Sequence, residues 1–314
     1  MDVNGDPGQY VRVDVSTWEE VRTEPVGVTA KEWLRPDPDD EWDEWLWKEV
    51  NTEKTGRRRT LGHDWSERVA TEVARLLGVP CSRVELASRR GARGVIVKNF
   101  APHPSGLTLS NVSLLLPNVI EGYEADKKGE VPGYTVDAAF EVLAPYGAHP
   151  AAPDGIDDGV STFAGYLMFD ALIGNGDRHH DNWGVIDGAG DTRYIAPSFD
   201  QATGLGYQEV EHKKVRRLER GEVEAWASKG RSRQFEGKRS LVGLAVDALT
   251  RIPRPAADCW IERLGSLDDA TWEPMLARVP DNLMSQVDRT FAVEILRVNR
   301  RRVLDGCRER TGTA

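Results

Sequence analysis

The sequence predicts an α+β protein with two lobes: a small antiparallel β-sheet with one helix in residues 1–100, and a larger, mostly helical lobe in residues 101–314. Three observations lead to this prediction. Strand-like runs bounded by turns fill the first hundred residues and enclose one helical pattern. Beyond residue 100 the apolar residues recur at helical spacing, with loops rich in Gly, Pro and Ala between them. A single short hairpin interrupts this helical part between residues 183 and 196.

The amino-acid composition is that of a globular protein without a strong bias. Its 314 residues are enough for one bilobal unit. The net charge of −10 argues against a general affinity for nucleic acid, which cationic surfaces drive. Three widely spaced cysteines form neither a disulfide framework nor a metal-ligand pattern. The amino terminus lacks a signal-peptide pattern, and no apolar stretch is long enough to span a membrane. We therefore expect a cytoplasmic protein without membrane contact.

The first lobe is predicted to contain five strands around one helix. Alternating or apolar runs between turns predict strands at 10–15, 25–34, 44–50, 82–87 and 94–99, the second of them entered through a turn. The polar, basic stretch 51–63 predicts a mobile loop. The helix should begin at Asp64, where Asp64-x-x-Glu67 fits a capping box, and end at Gly78.

The second lobe is predicted to be a set of helices. Helical spacing of apolar residues places them at 134–143, 160–173, 240–251, 257–264, 268–277 and 283–305. The hairpin, with strands at 183–186 and 192–196, lies between the second and third of these helices.

Acid-base and metal-binding residues follow the helix predicted at 160–173. Asp177 and Asn182 lie five residues apart in the run Gly-Asn-Gly-Asp-Arg-His-His-Asp-Asn-Trp-Gly (174–184), and Asp200 follows the hairpin. In kinases a loop Asp accepts the proton of the attacking hydroxyl, an Asn five positions later binds magnesium, and a later Asp bridges the metal to the nucleotide phosphates. This order of elements predicts a bilobal protein-kinase-like fold, with Asp177 as the base and Asn182 and Asp200 as Mg²⁺ ligands.

The same segment allows plainer interpretations. Asp and Asn favour solvated turns, and two histidines with two aspartates could form a small metal site unrelated to nucleotides. We favour the kinase interpretation because of the helix before the loop and the hairpin after it. Among the neighbouring residues, we expect Arg178 to hold the loop and His179 to hold the loop or approach the transferred phosphoryl group. His180 and Asp181 are expected to be solvated.

A kinase also needs a cation against the ATP phosphates, and Lys48 fits this role. It shares a strand face with Leu46 and Val50, and a lysine on an apolar face either snorkels at an edge or serves a ligand. The helix that follows offers Glu67 and Glu72 as its partner. The alternative for Glu67 is that it only closes the capping box.

The adenine base is expected at the connection between the lobes. Backbone groups of Lys98, Asn99 and Phe100 would pair with the edge of the base, and the Phe100 ring could pack against it, although an aromatic at a strand end is more often part of the core. The first lobe has no Gly-x-Gly-x-x-Gly. The turn that contains Gly27 and Thr29 could cradle phosphate with its backbone amides or be a plain β-turn.

The motif Asp-Arg-His-x-x-Asn-Trp-Gly (177–184), followed by Pro-Ser-Phe-Asp (197–200), resembles that of the HipA-type serine/threonine kinases. The chain resembles the short stand-alone form of the HipA-like C-terminal kinase domain, within the phosphatidylinositol-kinase-like superfamily, from about Pro25 to Leu304. The resemblance implies ATP and Mg²⁺ as cofactors and a serine or threonine hydroxyl as the phosphate acceptor. It also implies an antitoxin-like or regulatory protein as a partner.

The resemblance further implies roles for three residues of the first lobe. The family has the glutamate that pairs with the ATP-binding lysine at the position of Glu67, so we select Glu67 as the partner of Lys48. The turn with Gly27 and Thr29 corresponds to the family's short phosphate loop.

The acceptor is left open by the sequence. The basic segment 229–239 could contact an acidic or phosphorylated acceptor through its arginines, or be a flexible solvated loop, and Ser232 within it could itself be phosphorylated. A kinase of a small-molecule hydroxyl would use the same phosphate machinery. A nucleotide-binding pseudokinase and an adaptor that binds proteins through the first lobe are the remaining alternatives.

Overall fold

The computed structural model describes residues 8–24, 31–50, 52–53, 59–125 and 129–311, and within these ranges it has the predicted α+β architecture. A mixed lobe of strands and one helix is followed by a larger helical lobe. Within the described part of the chain, no helix is both long and apolar enough to cross a membrane.

The first lobe is built on a six-stranded sheet. Its strands are β1 (Arg12–Asp14), β2 (Glu19–Glu24), β3 (Lys31–Arg35), β4 (Trp45–Glu49), β7 (Val84–Arg89) and β8 (Ala92–Lys98). A separate two-stranded ribbon consists of β5 (Thr52–Glu53) and β6 (Arg59–Thr60). The strand order in the sheet is β1-β7-β8-β4-β3-β2. Neighbouring strands are antiparallel, as predicted, except β1 and β7, which are parallel. The ribbon lies within 51–63, where the sequence predicted only a mobile loop.

Helix α1 (His63–Leu77) follows the ribbon and covers the sheet. It begins one residue earlier than predicted, with Gly62 as the N-cap and no side-chain cap, so the capping box proposed for Asp64 and Glu67 is wrong. Both carboxylates are buried and have other partners: Asp64 accepts hydrogen bonds from the guanidinium of Arg93 on β8, and Glu67 accepts one from Lys48 on β4. Gly78 ends the helix in the left-handed conformation, as predicted.

The second lobe contains eight further helices within the described residues. These are α2 (Val136–Leu143), α3 (Gly159–Ile173), α4 (Glu211–Glu219), α5 (Val223–Ala227), α6 (Leu241–Leu249), α7 (Arg254–Gly265), α8 (Asp269–Ala277) and α9 (Gln286–Thr311). A small antiparallel sheet consists of β9 (Thr108–Asn111), β10 (Gly184–Asp187) and β11 (Arg193–Ile195). The β10–β11 hairpin and six of the helices were predicted.

Besides the ribbon, four of the strands and α-helices of the two lobes were not predicted, because they are short or lack the apolar periodicity of a buried face. Strand β2 reads Glu-Glu-Val-Arg-Thr-Glu, and α4 reads Glu-His-Lys-Lys-Val-Arg-Arg-Leu-Glu. The short β9 and α5 were missed as well. Helix α4 is fixed by a buried ion pair instead, since Lys214 Nζ lies 2.6 Å from Asp288 Oδ1 on α9.

Helix α3 is the centre of the second lobe. Every one of its residues except Val160 is buried, and it packs against α6, α7 and α9. Its apolar surface on all sides is what a fully enclosed helix requires. The loop that follows it therefore begins from a rigid support.

The first described residues join the two lobes at a point remote from the chain connection near residue 100. The backbone N–H of Tyr10 donates to the carbonyl of Arg278, just after α8, at 2.7 Å. The Tyr10 ring lies against the guanidinium groups of Arg278 and Arg68, with the latter belonging to α1. Helix α1 itself packs against α3, α7 and α8.

Replacing Gly165 by alanine should destabilise the fold, although alanine is the better helix former. A Cβ at this position of α3 would lie 2.5 Å from the Trp260 ring, whose Nε1 is hydrogen-bonded to the Ser161 carbonyl. Overpacking of this kind costs about 1–3 kcal/mol. Urea unfolding measures the change. Gly265→Ala, at the end of α7 with no atom within 4 Å of the added Cβ, is the control and should be neutral or slightly stabilising. Equal stability of the two variants would contradict this account of the packing.

Candidate active site

Three parts of the chain converge on the ammonium group of Lys48. On β4, Lys48 Nζ lies 2.7 Å from Glu67 Oε1 of helix α1 and 3.1 Å from Asp200 Oδ1 of the segment after β11. Glu67 is fully buried, and Asp200 keeps 30% of its side chain exposed. The structure thus brings together the cation and the two carboxylates selected from the sequence, across as many as 152 residues of chain.

The electrostatics of this cluster favour a charged lysine and a strongly acidic Asp200. Burial opposes the charge of Lys48, but Asp200 and Glu67 outweigh it and raise the pKa of the ammonium above its ordinary value. Burial also opposes the charge of Asp200 and by itself would raise the pKa of this carboxyl. The charges of Lys48 and Lys31 nevertheless lower it to about 2. The pKa of Glu67 is raised by its deep burial, which Lys48 offsets only in part. Asp200 is therefore the more acidic partner of Lys48.

Lys31 is a second cation at this site. The register of β3 and β4 places Lys31 opposite Lys48, and the charge of Lys31 lowers the pKa of both Asp200 and Glu67. Like charges directly opposite on neighbouring strands are unfavourable unless anions neutralise them. A pair of lysines facing two carboxylates is also a suitable arrangement for a polyanionic ligand.

The segment that carries Asp200 is fixed on both sides. Ser198 pairs with the chain that follows helix α1: its N–H donates to the Pro80 carbonyl and its carbonyl accepts from the N–H of Ser82. The Ser66 hydroxyl of α1 donates to the carbonyl of Gly204 beyond Asp200. Asp200 itself has a φ of +60°, a conformation that is costly for most side chains and frequent at functional sites.

The loop after α3 folds back on itself around Asp177. The amide nitrogen of Asn182 donates to the Asp177 carbonyl at 2.9 Å, which leaves the amide oxygen as an available acceptor. The Asp177 carboxylate accepts a hydrogen bond of 3.0 Å from the guanidinium of Arg233. The charges of both carboxylates act on Tyr207: burial raises the pKa of its hydroxyl, the hydrogen bond with Gln208 and the charge of Arg233 oppose the shift, and Asp177 and Asp200 raise it further.

Arg178 holds this loop, as predicted from the sequence. Its buried guanidinium makes two hydrogen bonds to Asp170 of α3, at 2.7 and 2.8 Å, and others to the Asn182 carbonyl and the Ser198 hydroxyl. Gln201 donates to the same hydroxyl. One side chain thus ties α3, the loop and the Asp200 segment together. A bidentate pair of this kind fixes geometry as well as charge.

The two histidines of the loop, His179 and His180, differ in burial and in their hydrogen-bond partners. His179 lies near Asp200, whose pKa its charge lowers, and its Nδ1 accepts from the Asp181 N–H. His180 is buried, although the sequence predicted a solvated side chain: its Nδ1 lies 2.7 Å from the Tyr123 hydroxyl, and its backbone N–H donates to Gln234. Its partners are remote in sequence, so no local pattern indicated this burial. Asp181 is exposed, as predicted.

The connection between the lobes is held by Glu44, a buried carboxylate. The Asn99 side chain donates to Glu44 at 2.9 Å, and the Asn99 N–H donates to the Glu44 carbonyl. The Lys98 N–H donates to the carbonyl of Arg83, just before β7, so the backbone donors of Lys98 and Asn99 are already used. The Phe100 ring stacks on Phe199, the residue before Asp200, with centroids 5.8 Å apart. Phe100 thus faces the segment that carries the proposed metal ligand.

Two of the predicted phosphate-binding residues, Gly27 and Thr29, lie outside the described residues. Their role stays a prediction.

The basic segment 229–239, for which the sequence allowed a flexible, solvated loop, packs against the loop of Asp177. The Arg233 N–H donates to the Gly176 carbonyl, and a Cβ at Gly176 would lie 2.6 Å from the Arg231 carbonyl, so only glycine allows this approach. Ser232 is buried and its hydroxyl accepts from the Phe235 N–H, which argues against the phosphorylation considered for it. The sequence indicated the arginines of this segment as possible acceptor contacts, but it predicted neither the contact of Arg233 with Asp177 nor the position of Lys31 opposite Lys48. The charges of Arg233 and Lys31 can be read from the sequence, but the residues that lie beside them in the fold cannot.

Comparisons with known proteins agree with this fold. A family model described as HipA-like C-terminal domain matches residues 25–264. The Helicobacter pylori proinflammatory kinase CtkA has a similar structure, with a TM-score of 0.71 and 17% sequence identity over 96% of this chain and 99% of that chain. This similarity confirms the predicted bilobal kinase-like fold.

A second solved structure is similar over much of the chain but superimposes poorly. It is HipA of Shewanella oneidensis MR-1, solved with HipB and its operator DNA, with a TM-score of 0.38 and 14% identity over 94% of this chain and 67% of that chain. No curated protein matches the chain.

The stability of the protein should fall as the pH is lowered from about 6.5 towards 4, in part because of His63. This residue begins α1, and its ring contacts Tyr207 with centroids 4.4 Å apart. Burial lowers the pKa of His63 from 6.5 to about 4. Between these values the unfolded chain binds the proton and the folded protein does not, so acid favours unfolding. Urea unfolding of His63→Phe should show a flatter pH dependence.

His149 provides the internal reference for this measurement. Burial lowers the pKa of His149 to about 4 as well, and it is retained in both proteins. The difference between the two pH profiles therefore reports on His63 alone. Parallel profiles would show that His63 is protonated equally in both states.

Proposed function

Because the chain belongs to the HipA-like C-terminal domain family, we propose that it is a magnesium- and ATP-dependent kinase that transfers the γ-phosphoryl group to a serine or threonine hydroxyl of a protein. The observation that supports this most strongly is the convergence of Glu67 and Asp200 on Lys48. Kinases require this lysine–glutamate pair and a metal-binding aspartate beside it.

The side chains fit the groups that the proposal requires. Lys48 and Lys31 offer positive charge to the phosphates. The Asn182 amide oxygen and the Asp200 carboxylate are oxygen donors of the kind that Mg²⁺ prefers, and Mg²⁺ is commonly held by one or two protein side chains together with substrate phosphates. When bound, the metal neutralises charge on the transferred group.

Asp177 is the proposed base. Its carboxylate would orient the acceptor hydroxyl and take its proton, while Arg178 keeps the loop in place through the buried pair with Asp170. His179, near Asp200, would approach the transferred group. At the connection between the lobes, Phe100 and the backbone carbonyls of Lys98 and Asn99 are the groups proposed to meet the adenine, since both N–H donors are already used.

A small-molecule hydroxyl kinase is the alternative supported by a specific observation. The structure contains a cavity of about 320 Å³ lined in part by Gly176, Tyr207 and Arg233, close to Asp177. This volume is within the range of small-ligand sites. Incubation with γ-labelled ATP, Mg²⁺ and cell extract, followed by separation of protein-bound from small-molecule label, distinguishes the two acceptors.

A regulatory protein partner of the antitoxin type is part of the proposal because of the resemblance to the family. A cytoplasmic location is part of it because of the composition.

Asp177→Asn should abolish phosphoryl transfer and leave binding of Mg-ATP largely intact, because the base is lost while the phosphate-binding groups remain. Loss of a general base typically costs about 10²–10⁴-fold in rate. Labelling kinetics and thermal stabilisation by Mg-ATP measure the two effects. Asp181→Asn, on an exposed neighbouring residue, is the control and should retain activity. Labelling at the normal rate by Asp177→Asn would exclude this residue as the base.

Asp200→Asn should weaken the magnesium dependence of nucleotide binding, because a carboxylate held at a pKa of about 2 becomes a neutral amide. The measurement is thermal stabilisation by ATP with and without Mg²⁺. Asp187→Asn, on a partly exposed residue of the β10–β11 hairpin, is the control and should behave like the unaltered protein. If Asp200→Asn keeps the full magnesium effect, its role as a metal ligand is refuted.

A further inference from the structure

The cavity beside Asp177 has a basic wall with a defined backbone. Ser232 is buried between Arg231 and Arg233, which are exposed, so the alternation of an extended segment turns both arginines to the same side, where they line the cavity. Backbone contacts hold the two ends of this segment together. The Ser232 N–H donates to the Arg239 carbonyl, and Arg231 forms an antiparallel β-bridge with Ser240. The wall is therefore preformed.

The remaining lining leaves the cavity positively charged. Lys229 joins the two arginines, and Tyr207, Trp226 and Ile295 supply apolar surface. One carboxylate, Glu209, also belongs to the lining. Its charge is offset, because Arg217 lies 3.0 Å from it. Burial opposes the charge of Glu209, but the hydrogen bond and charge of Arg217, together with Lys213, outweigh it and lower the pKa of Glu209.

The cavity adjoins the proposed base directly. The Arg233 N–H is hydrogen-bonded to the Gly176 carbonyl, and its guanidinium is 3.0 Å from the Asp177 carboxylate. A hydroxyl placed at Asp177 would leave the neighbouring atoms of the acceptor within the cavity. Asp177 would take the hydroxyl proton as the acceptor oxygen bonds to the γ-phosphorus and the bond from that phosphorus to the ADP oxygen breaks.

We propose that this cavity binds the acceptor and selects one with an anionic group, a carboxylate or phosphate, close to the hydroxyl that is phosphorylated. The inference rests on the proposed function and adds the chemical class of its substrate. Lys229 and Arg231 recognise the anion, and the apolar surface of Tyr207, Trp226 and Ile295 receives the rest of the group. Guanidinium groups bind such anions in bidentate fashion.

The test compares acceptors that differ only in charge. Two serine peptides are used, identical except that glutamates flank the serine in one and glutamines in the other. Glycerol 3-phosphate and glycerol form the small-molecule pair. With γ-labelled ATP and Mg²⁺, kcat/KM for the anionic member should exceed that of the neutral member about tenfold or more, as a hydrogen bond to a charged group can provide. The pair that is labelled identifies the acceptor as peptide or small molecule.

Variants connect the selectivity to the cavity. Arg231→Gln and the double variant with Lys229→Gln should lose most of the preference while retaining thermal stabilisation by Mg-ATP. Arg254→Gln, on the exposed surface of α7, is the matched control and should keep the preference for the anionic acceptor. Equal labelling of anionic and neutral acceptors, or an undiminished preference in the double variant, would overturn the inference. If the unaltered protein labels no acceptor and is indistinguishable from Asp177→Asn, the proposed function fails and this inference fails with it.

Discussion

The arrangement of the site depends on the two ion pairs of the Lys48 ammonium group. It lies between a fully buried glutamate from α1 and a half-exposed aspartate from the segment after β11. Without it, Glu67 and Asp200 would be two carboxylates in close proximity with too little positive charge, and one would have to take up a proton or move away. The opposing position of Lys31 adds to this balance. The sheet, the helix and the loop are thus held at one point by charge as well as by packing.

Helix α1 and the Asp200 segment are linked directly as well as through Lys48. Ser66 and the residues after the helix are hydrogen-bonded to the chain on both sides of Asp200, and α1 packs against three helices of the second lobe. In many kinases the helix that carries the glutamate moves between active and inactive positions. Here such a movement would break several buried contacts at once, so regulation by displacement of α1 would be costly. In the proposed function, access of the acceptor to Asp177 past Arg233 would be a less restrained point of control, because Arg233 is exposed.

The sequence predicted best what is local or strongly patterned. The Asp177–Asn182 spacing, the hairpin before Asp200 and the enclosed helix α3 depend on residues near one another in the chain. Glu67 was selected over Glu72 because of the family resemblance, and the alternative role in a capping box is excluded because that box does not form. The ion pair of Arg233 with Asp177, the position of Lys31 opposite Lys48 and the burial of His180 could not be predicted, since the partners of these residues lie on other elements. Strand β2 and helix α4 carry too few apolar residues to show a buried face.

The contact of Tyr10 with Arg278 gives the two lobes a second connection, distinct from the chain crossing near residue 100. The interface between the lobes extends beyond this contact, because one apolar core cluster contains residues of both lobes, among them Val69 of α1 and Trp260 of α7. Separating the lobes would expose this shared apolar surface to water, which is unfavourable. The two lobes are therefore expected to unfold together in one cooperative transition.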